Sequence, residues 1–265
     1  MRGIYLANQS IDRLSIAAPP TGYPLLGHIW QGFEVAVVNG VPVPEMPMPM
    51  NHFSGQLLKT NAEVRWTGHI GHLLTEFTAT GLYELFGIPG DKLVNTTVPV
   101  ALLAPQFDRA MTERLKPLQI DGYVEGLCEL LKDQASKAIR APDFVTEAVR
   151  QIEGASGDVK LGELAKHLHT SDRSFREHFQ SIVGVPPKFF CRAVQFNYVV
   201  SIVMSEEEVP LAQLASEAGY YDQAHFCRVF REYVLTTPRD FFKSDHSKIS
   251  SFIRQNRTTY DSRQA

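Results

Sequence analysis

The sequence predicts an α+β chain, with short strands in its first half and an all-helical second half. Three observations carry that expectation. Apolar runs broken by turn residues fill 23–66, a helical pattern at 161–184 recurs at 211–235, and an eighteen-residue apolar stretch, 187–204, joins the two copies. At 265 residues the chain is long enough for two domains, each able to bury a core.

The opening residues 1–24 carry few periodic cues, and Pro19-Pro20 marks a turn. From Tyr23 to Trp66 the text reads as strands: LLGHIWQGFEVAVV, then a proline-methionine segment, then HFSGQLLK. Asn39-Gly40 between apolar runs signals a hairpin. The segment 42–50 cannot be a central strand, because proline donates nothing to a ladder, and it reads as a surface loop with an edge or lid as the alternative. Residues 67–98 continue the strands and shift to a short helix around Thr80–Phe86. Trp30, Phe33, Phe53, Trp66, Phe77, Tyr83 and Phe86 read as core aromatics. Residues 99–141 read as helices. Ile120, Val124, Leu127, Leu130 and Leu131 make a stripe that packs on its own sheet or, as favoured here, on a second chain. Ala141-Pro142 reads as a linker, and Phe144, Ala148, Val149 and Ile152 as the buried face of the next helix.

The doubled pattern is the most informative feature. Leu211, Leu214, Ala215 and Ala218 give a short helix one apolar face, and Gly219 supplies the left-handed turn that stops it. Asp222 caps a second helix whose buried face is Phe226, Val229, Phe230 and Tyr233. Fifty residues earlier stand Leu161, Leu164, Ala165 and Leu168; at an offset of fifty-one, Ser171 matches Asp222, Phe175 matches Phe226, Phe179 matches Phe230 and Pro187 matches Pro238. Caps, core positions and closing proline recur in phase, so two helix-turn-helix units are expected at 161–184 and 211–235, a motif whose second helix can enter a DNA major groove. The connecting stretch Pro187–Met204 spans about 27 Å as a helix. Successive grooves on one face of DNA lie about 34 Å apart, so a rigid connector of this length can hold two recognition helices in adjacent grooves.

The segment from Pro142 to Asp245 resembles the DNA-binding domain of the AraC/XylS family of bacterial transcription regulators. The strongest match is GYYDQAHFCRVFREYVLTTPRDF (219–241), supported by GVPPKFF (184–190) and LGELAKHLHTSDRSFREHF (161–179). Departures from the family pattern are His169 for a turn glycine, Leu235 for a helix-ending glycine and Gln195 for a basic residue. FTATGLYELFGIPGDKLVNTTV (77–98) resembles the cupin-like domain that precedes the helices in one branch of that family. The resemblance thus implies a fold of an N-terminal cupin-like β-sandwich or barrel followed by helices. An all-α C-terminal domain with two helix-turn-helix units joined by a long helix completes it. The expected divisions are 1–141 for sensing or dimerisation, 142–245 for DNA binding and 246–265 as a polar tail. By the same resemblance, base-contacting residues fall on Arg173, Arg176 and Glu177 in the first unit and on Gln223, Ala224 and Arg228 in the second. Phosphate contacts fall on Lys188, Arg192, Arg231 and Arg239. The implied partners are double-stranded operator DNA, RNA polymerase, a small-molecule effector and a second copy of the chain, with no cofactor and no membrane.

Composition limits the alternatives. From Pro142 to Asp245 there are eleven Lys and Arg against fifteen Asp and Glu, a net of −4; the last twenty residues add four basic and one acidic, leaving that half at −1. Positive charge for phosphate binding must therefore be local, and the acidic run Glu206-Glu207-Glu208 reads as a solvated corner. Cys128, Cys191 and Cys227 form no metal-ligand spacing and read as reduced thiols of a cytoplasmic protein. No apolar run is long enough to cross a bilayer, and the opening residues lack the apolar core of a signal peptide. A nucleophile elbow, a phosphate-binding loop and a dinucleotide fingerprint are all absent, so no enzyme is expected. The rival reading is a cupin-type small-molecule-binding or metal-dependent protein whose helical half serves protein contacts. Its candidate ligands are His28, His52, His69 and His72, but three residues apart on a strand, His69 and His72 point to opposite faces. His167 and His169 read as surface residues.

Overall fold

A computed structural model of the chain describes residues 1–38, 41–42, 48–58, 60, 62–205, 210–234, 236–243 and 257–258. The expected Asn39-Gly40 turn, most of the proline-methionine segment, the run Glu206-Glu207-Glu208, Leu235 and most of the tail lie outside the described residues.

The architecture is α+β. Strands β1 (Gly3–Ala18), β2 (Leu25–Val38), β3 (Val41–Pro42), β4 (Met50–Ser54) and β5 (Ala62–Glu76) are followed by helix α1 (Gly81–Phe86) and a 3-10 turn, Gly90–Leu93. Strand β6 (Thr97–Pro99), helices α2 (Val100–Leu103), α3 (Pro105–Leu115) and α4 (Tyr123–Ala135) complete the first half. Helices α5 (Asp143–Gly154), α6 (Leu161–His167), α7 (Asp172–Val183), α8 (Pro187–Ser205), α9 (Leu211–Glu217), α10 (Gln223–Val234) and α11 (Pro238–Lys243) make the second. Strand β7 (Arg257–Thr258) returns to pair with Ile4 and Tyr5 of β1.

Among the described residues the strands form one antiparallel sheet, in the order β6-β4-β2-β5-β1-β7, with β3 paired on β2. Its strands are longer than the sequence suggested. Strand β1 occupies residues that showed no periodicity, because a bulge between Ile11 and Leu14 breaks the two-residue alternation that would have marked it. Further irregularities near Gln31 bend β2. Helices α1, α3 and α4 cover one face, where Phe53, Leu73, Phe77, Leu82, Met111 and Leu127 form a common core.

The α4 stripe therefore has a partner in its own chain. Leu127 and Leu131 are buried against that sheet core, with Val124 and Leu130 packed at its margin. The favoured expectation, that this stripe holds a second chain, is corrected: its apolar area is already removed from water within one protomer.

Each helix-turn-helix unit has its own core, and α8 belongs to both. Phe190, Cys191 and Val194 join Val145, Ile152, Leu164, Phe175 and Phe179. Ala193, Phe196 and Val199 join Leu214, Phe226, Phe230 and Phe241. At 100° per residue these sets lie on opposite sides of α8, which is why the helix looks apolar all round. Nineteen residues make it about 28 Å long.

The two halves also touch. Gln56, Gly22 and Tyr23 reach the second half, and Tyr23 is part of the first unit's core. Arg2 bridges Glu76 of β5 and Glu153 of α5 while stacking 3.6 Å over the Tyr23 ring.

Candidate nucleic-acid interface

Both turns form as their residues dictate. Ser171 Oγ accepts the Ser174 amide at 3.2 Å, and Asp222 Oδ1 accepts the His225 amide at 2.6 Å, so both expected caps are made. His169 and Gly219 occupy the same left-handed position, with φ of +53° and +75°. Histidine there costs on the order of 1 kcal/mol relative to glycine but does not change the turn. Gly184 ends α7 in the same conformation, at φ +97°.

Buried and exposed faces then sort the side chains on the second helix of each unit. On α7, Phe175, Phe179, Ile182 and Val183 are buried, while Arg173, Arg176 and Glu177 are exposed. On α10, Phe226, Val229, Phe230 and Tyr233 are buried, while Gln223, Ala224, Arg228 and Arg231 are exposed. Arg173 Nε lies 2.9 Å from Glu177 Oε1, one helical turn on, so these two candidates share an ion pair. Lys188 at the start of α8 and Arg239 at the start of α11 are exposed. Arg192 differs from the other candidates. It is half-buried on α8 and lines a narrow pocket with Tyr220, Phe226 and Tyr233 of the second unit.

The histidines of the first half are distributed by strand alternation. Gly27 pairs with His52 and Ile29 with His72, whereas His28 pairs with Asn51 and Leu73, so His28 faces the helices and the other two face away. His28 Nδ1 lies 2.6 Å from Asn51 Oδ1, and Asn51 donates to Asp108 and Thr112 on α3. His52 and His72 ring centroids lie 6.2 Å apart. His69, half-exposed, bonds Ser10 and Asn8 across the strand pair. Among the described residues no three His, Cys, Asp or Glu side chains are grouped to hold a metal ion. Burial holds the His72 imidazole down at about 4, with the charge of His28 acting in the same direction. All three thiols are unpaired with one another, and burial pushes Cys191 up to about 12. Among the described residues no helix is long and apolar enough to cross a membrane.

Two features escaped the sequence reading. The seam between the halves, made by Pro20–Tyr23 and Gln56, has no local signature, because its partners are 127 to 213 residues away. Tyr221 did leave a trace: the offset between the repeats changes from fifty to fifty-one at the second turn.

Residues 164–244 match a family described as a helix-turn-helix domain. An uncharacterised HTH-type transcriptional regulator of Haemophilus influenzae is 28% identical over 99 residues, 37% of this chain and 33% of that protein. The regulatory protein PocR of Salmonella typhimurium is 26% identical over 117 residues, 42% of this chain and 38% of PocR. The matched stretch thus spans little more than a third of these relatives. Among solved structures, ToxT of Vibrio cholerae is similar with a TM-score of 0.48 and 12% identity, over 90% of this chain and 96% of ToxT.

Proposed function

We propose that this chain, whose residues 164–244 match a helix-turn-helix domain family, is a cytoplasmic, sequence-specific DNA-binding regulator of transcription of the AraC type. One observation carries the proposal: helix α8 contributes opposite faces to the cores of both units, so two exposed recognition surfaces are joined by one rigid element. Each surface offers the side chains that read base edges. Arg176 and Arg228 present forked donors suited to guanine, Gln223 an amide suited to adenine, and Glu177 an acceptor suited to cytosine. Ala224 offers a methyl to thymine. Arg173 adds a forked donor once its bond to Glu177 is exchanged for one to DNA. Lys188, Arg231 and Arg239 supply phosphate contacts that set register, with Arg192 near the second unit's pocket.

Charge sets the strength of this interface. The half from Pro142 onward carries a net −1, so sequence-independent attraction is weak, and the part that Lys188, Arg231 and Arg239 supply falls with salt. A second copy on the operator, which raises the effective concentration of each domain, belongs to the proposal. The contact between copies lies away from the buried α4 stripe. The first half acts as the sensing domain, and its seam with α7, α8 and α10 is the path by which an effector alters the two units.

Selection from a random pool of duplex DNA, at low and moderate salt, tests the proposal. Enrichment of one motif with two boxes about a helical turn apart is expected. A pool that stays random, with and without added cell metabolites, overturns it.

A further inference from the structure

Tyr221 is the residue by which the second turn exceeds the first. The ends of α6 and α9 match at a constant offset of fifty: Leu168 and Ala218 donate to Leu164 and Leu214, and Thr170 and Tyr220 donate to Ala165 and Ala215. The caps that follow, Ser171 and Asp222, are fifty-one apart. The added residue is therefore the one between Tyr220 and Asp222. Its neighbour Tyr220 turns inward, with its ring 5.2 Å from that of Phe226. Tyr221 is 92% exposed, more than any other large hydrophobic side chain among the described residues.

We propose that Tyr221 is a positioning residue of the second unit, its ring lying along the sugar-phosphate edge of the major groove and its hydroxyl donating to a phosphate oxygen. This rests on the DNA-binding function proposed above. A phenol is a hydrogen-bond donor on a stiff arm with two torsions, and tyrosine is among the side chains that fix register on duplex phosphates without reading sequence. Cationic side chains are few around it, so a neutral donor adds a phosphate contact that charge does not supply. From Leu211 to Asp240 the second unit has Arg228, Arg231 and Arg239 against Glu217, Asp222, Glu232 and Asp240, a net of −1. The position is apt as well, since Tyr221 directly precedes the cap of the helix that presents Gln223 and Arg228. A residue inserted there extends the turn outward without moving α10, whose capping bond is intact.

A hydroxyl contact has a signature that an arginine contact lacks. Releasing a bound cation atmosphere requires charge, so loss of a neutral donor weakens binding without changing its salt dependence. The experiment compares full-length wild type, Y221F, Y221A and R231A on a duplex enriched by the wild type and on a random duplex, across a salt series. Y221F is expected to bind both duplexes about three- to tenfold more weakly with an unchanged salt slope, Y221A more weakly still. R231A is expected to reduce the slope by about one. Wild-type affinity of both Tyr221 variants overturns the assignment, as does a loss confined to one base pair, which would make Tyr221 a base reader. If the wild type enriches no duplex, it is the DNA-binding proposal itself that fails.

Discussion

Gln56 of the first half donates its side-chain amide to the carbonyl of Val183, the last residue of α7, at 2.8 Å. The same nitrogen reaches the carbonyl of Gly22 at 2.7 Å. The turn it braces touches both remaining parts of the second half: Asn197 of α8 donates to Thr21, and the Tyr233 hydroxyl of α10 donates to Pro20. Tyr23 meets the edge of Phe190 with centroids 6.0 Å apart. A single turn of the first half thus contacts the first unit, the connector and the second unit.

Removing the Gln56 amide leaves two buried carbonyls with weakened solvation. Gln56→Leu should destabilise the chain by about 1–3 kcal/mol in urea unfolding. Asn197→Ala, at a partly buried bond, should cost about 1 kcal/mol. A Gln56→Leu protein as stable as the wild type would mean that the seam is not part of the fold's stability.

Two glycines make a contrasting pair. A Cβ on Gly90 would stand 2.6 Å from the Ile182 carbonyl oxygen and 2.7 Å from the Gly184 amide, both backbone of the α7 end. Gly162, inside α6, has open space around it. Gly90→Ala should therefore lower the melting temperature by forcing the seam apart. Gly162→Ala should raise stability by up to about 1 kcal/mol through helix propensity alone. Equal effects of the two substitutions would contradict the close approach at Gly90.

Acid should weaken the first half through His72. The unfolded imidazole takes a proton below its ordinary value near 6.5, whereas the buried one resists until about 4. Between those values the unfolded state binds more protons, so stability falls as pH drops from 6.5 towards 4, by at most about 1.4 kcal/mol per pH unit. Above 6.5 the group contributes no slope. Urea midpoints measured from pH 7.5 to 4.5 should show this limb in the wild type and a flatter one in His72→Gln. A His72→Gln protein with the same limb would place the proton elsewhere.

Arg176→Ala and Arg228→Ala should each weaken binding to the selected duplex by about 1–3 kcal/mol, the scale of a bidentate base contact. Base preference should relax at different half-sites, about one helical turn apart. Both side chains are exposed, so folding is not at risk. Equal losses on selected and random duplexes would reassign them to phosphate.

The second half was legible because its signals are local. Caps, turn residues and buried faces all act within four residues, and the repeat states each of them twice. Strand β1 was illegible because its register depends on β5, some sixty residues on, and its bulge hides the alternation. The α4 stripe was seen but misassigned: amphipathicity gives a helix an apolar face without saying what covers it. Phe196 and Asn197 illustrate the same gap. In sequence they are mid-helix residues of a connector; in the structure Phe196 packs against Phe230, Tyr233 and Phe241, and Asn197 holds Thr21. Glycines placed there would damage a core, so groove spacing is better varied in the DNA than in α8.

The affinity of the full chain for its selected duplex, measured as the gap between the two boxes is lengthened by about five base pairs, tests the rigid two-unit account most directly. Half a helical turn carries the second box to the opposite face of the duplex, beyond reach of a unit fixed to α8. Binding should weaken at least about tenfold, with the remaining affinity close to that for a single box. Undiminished affinity at the altered spacing would contradict two units held in register by one helix.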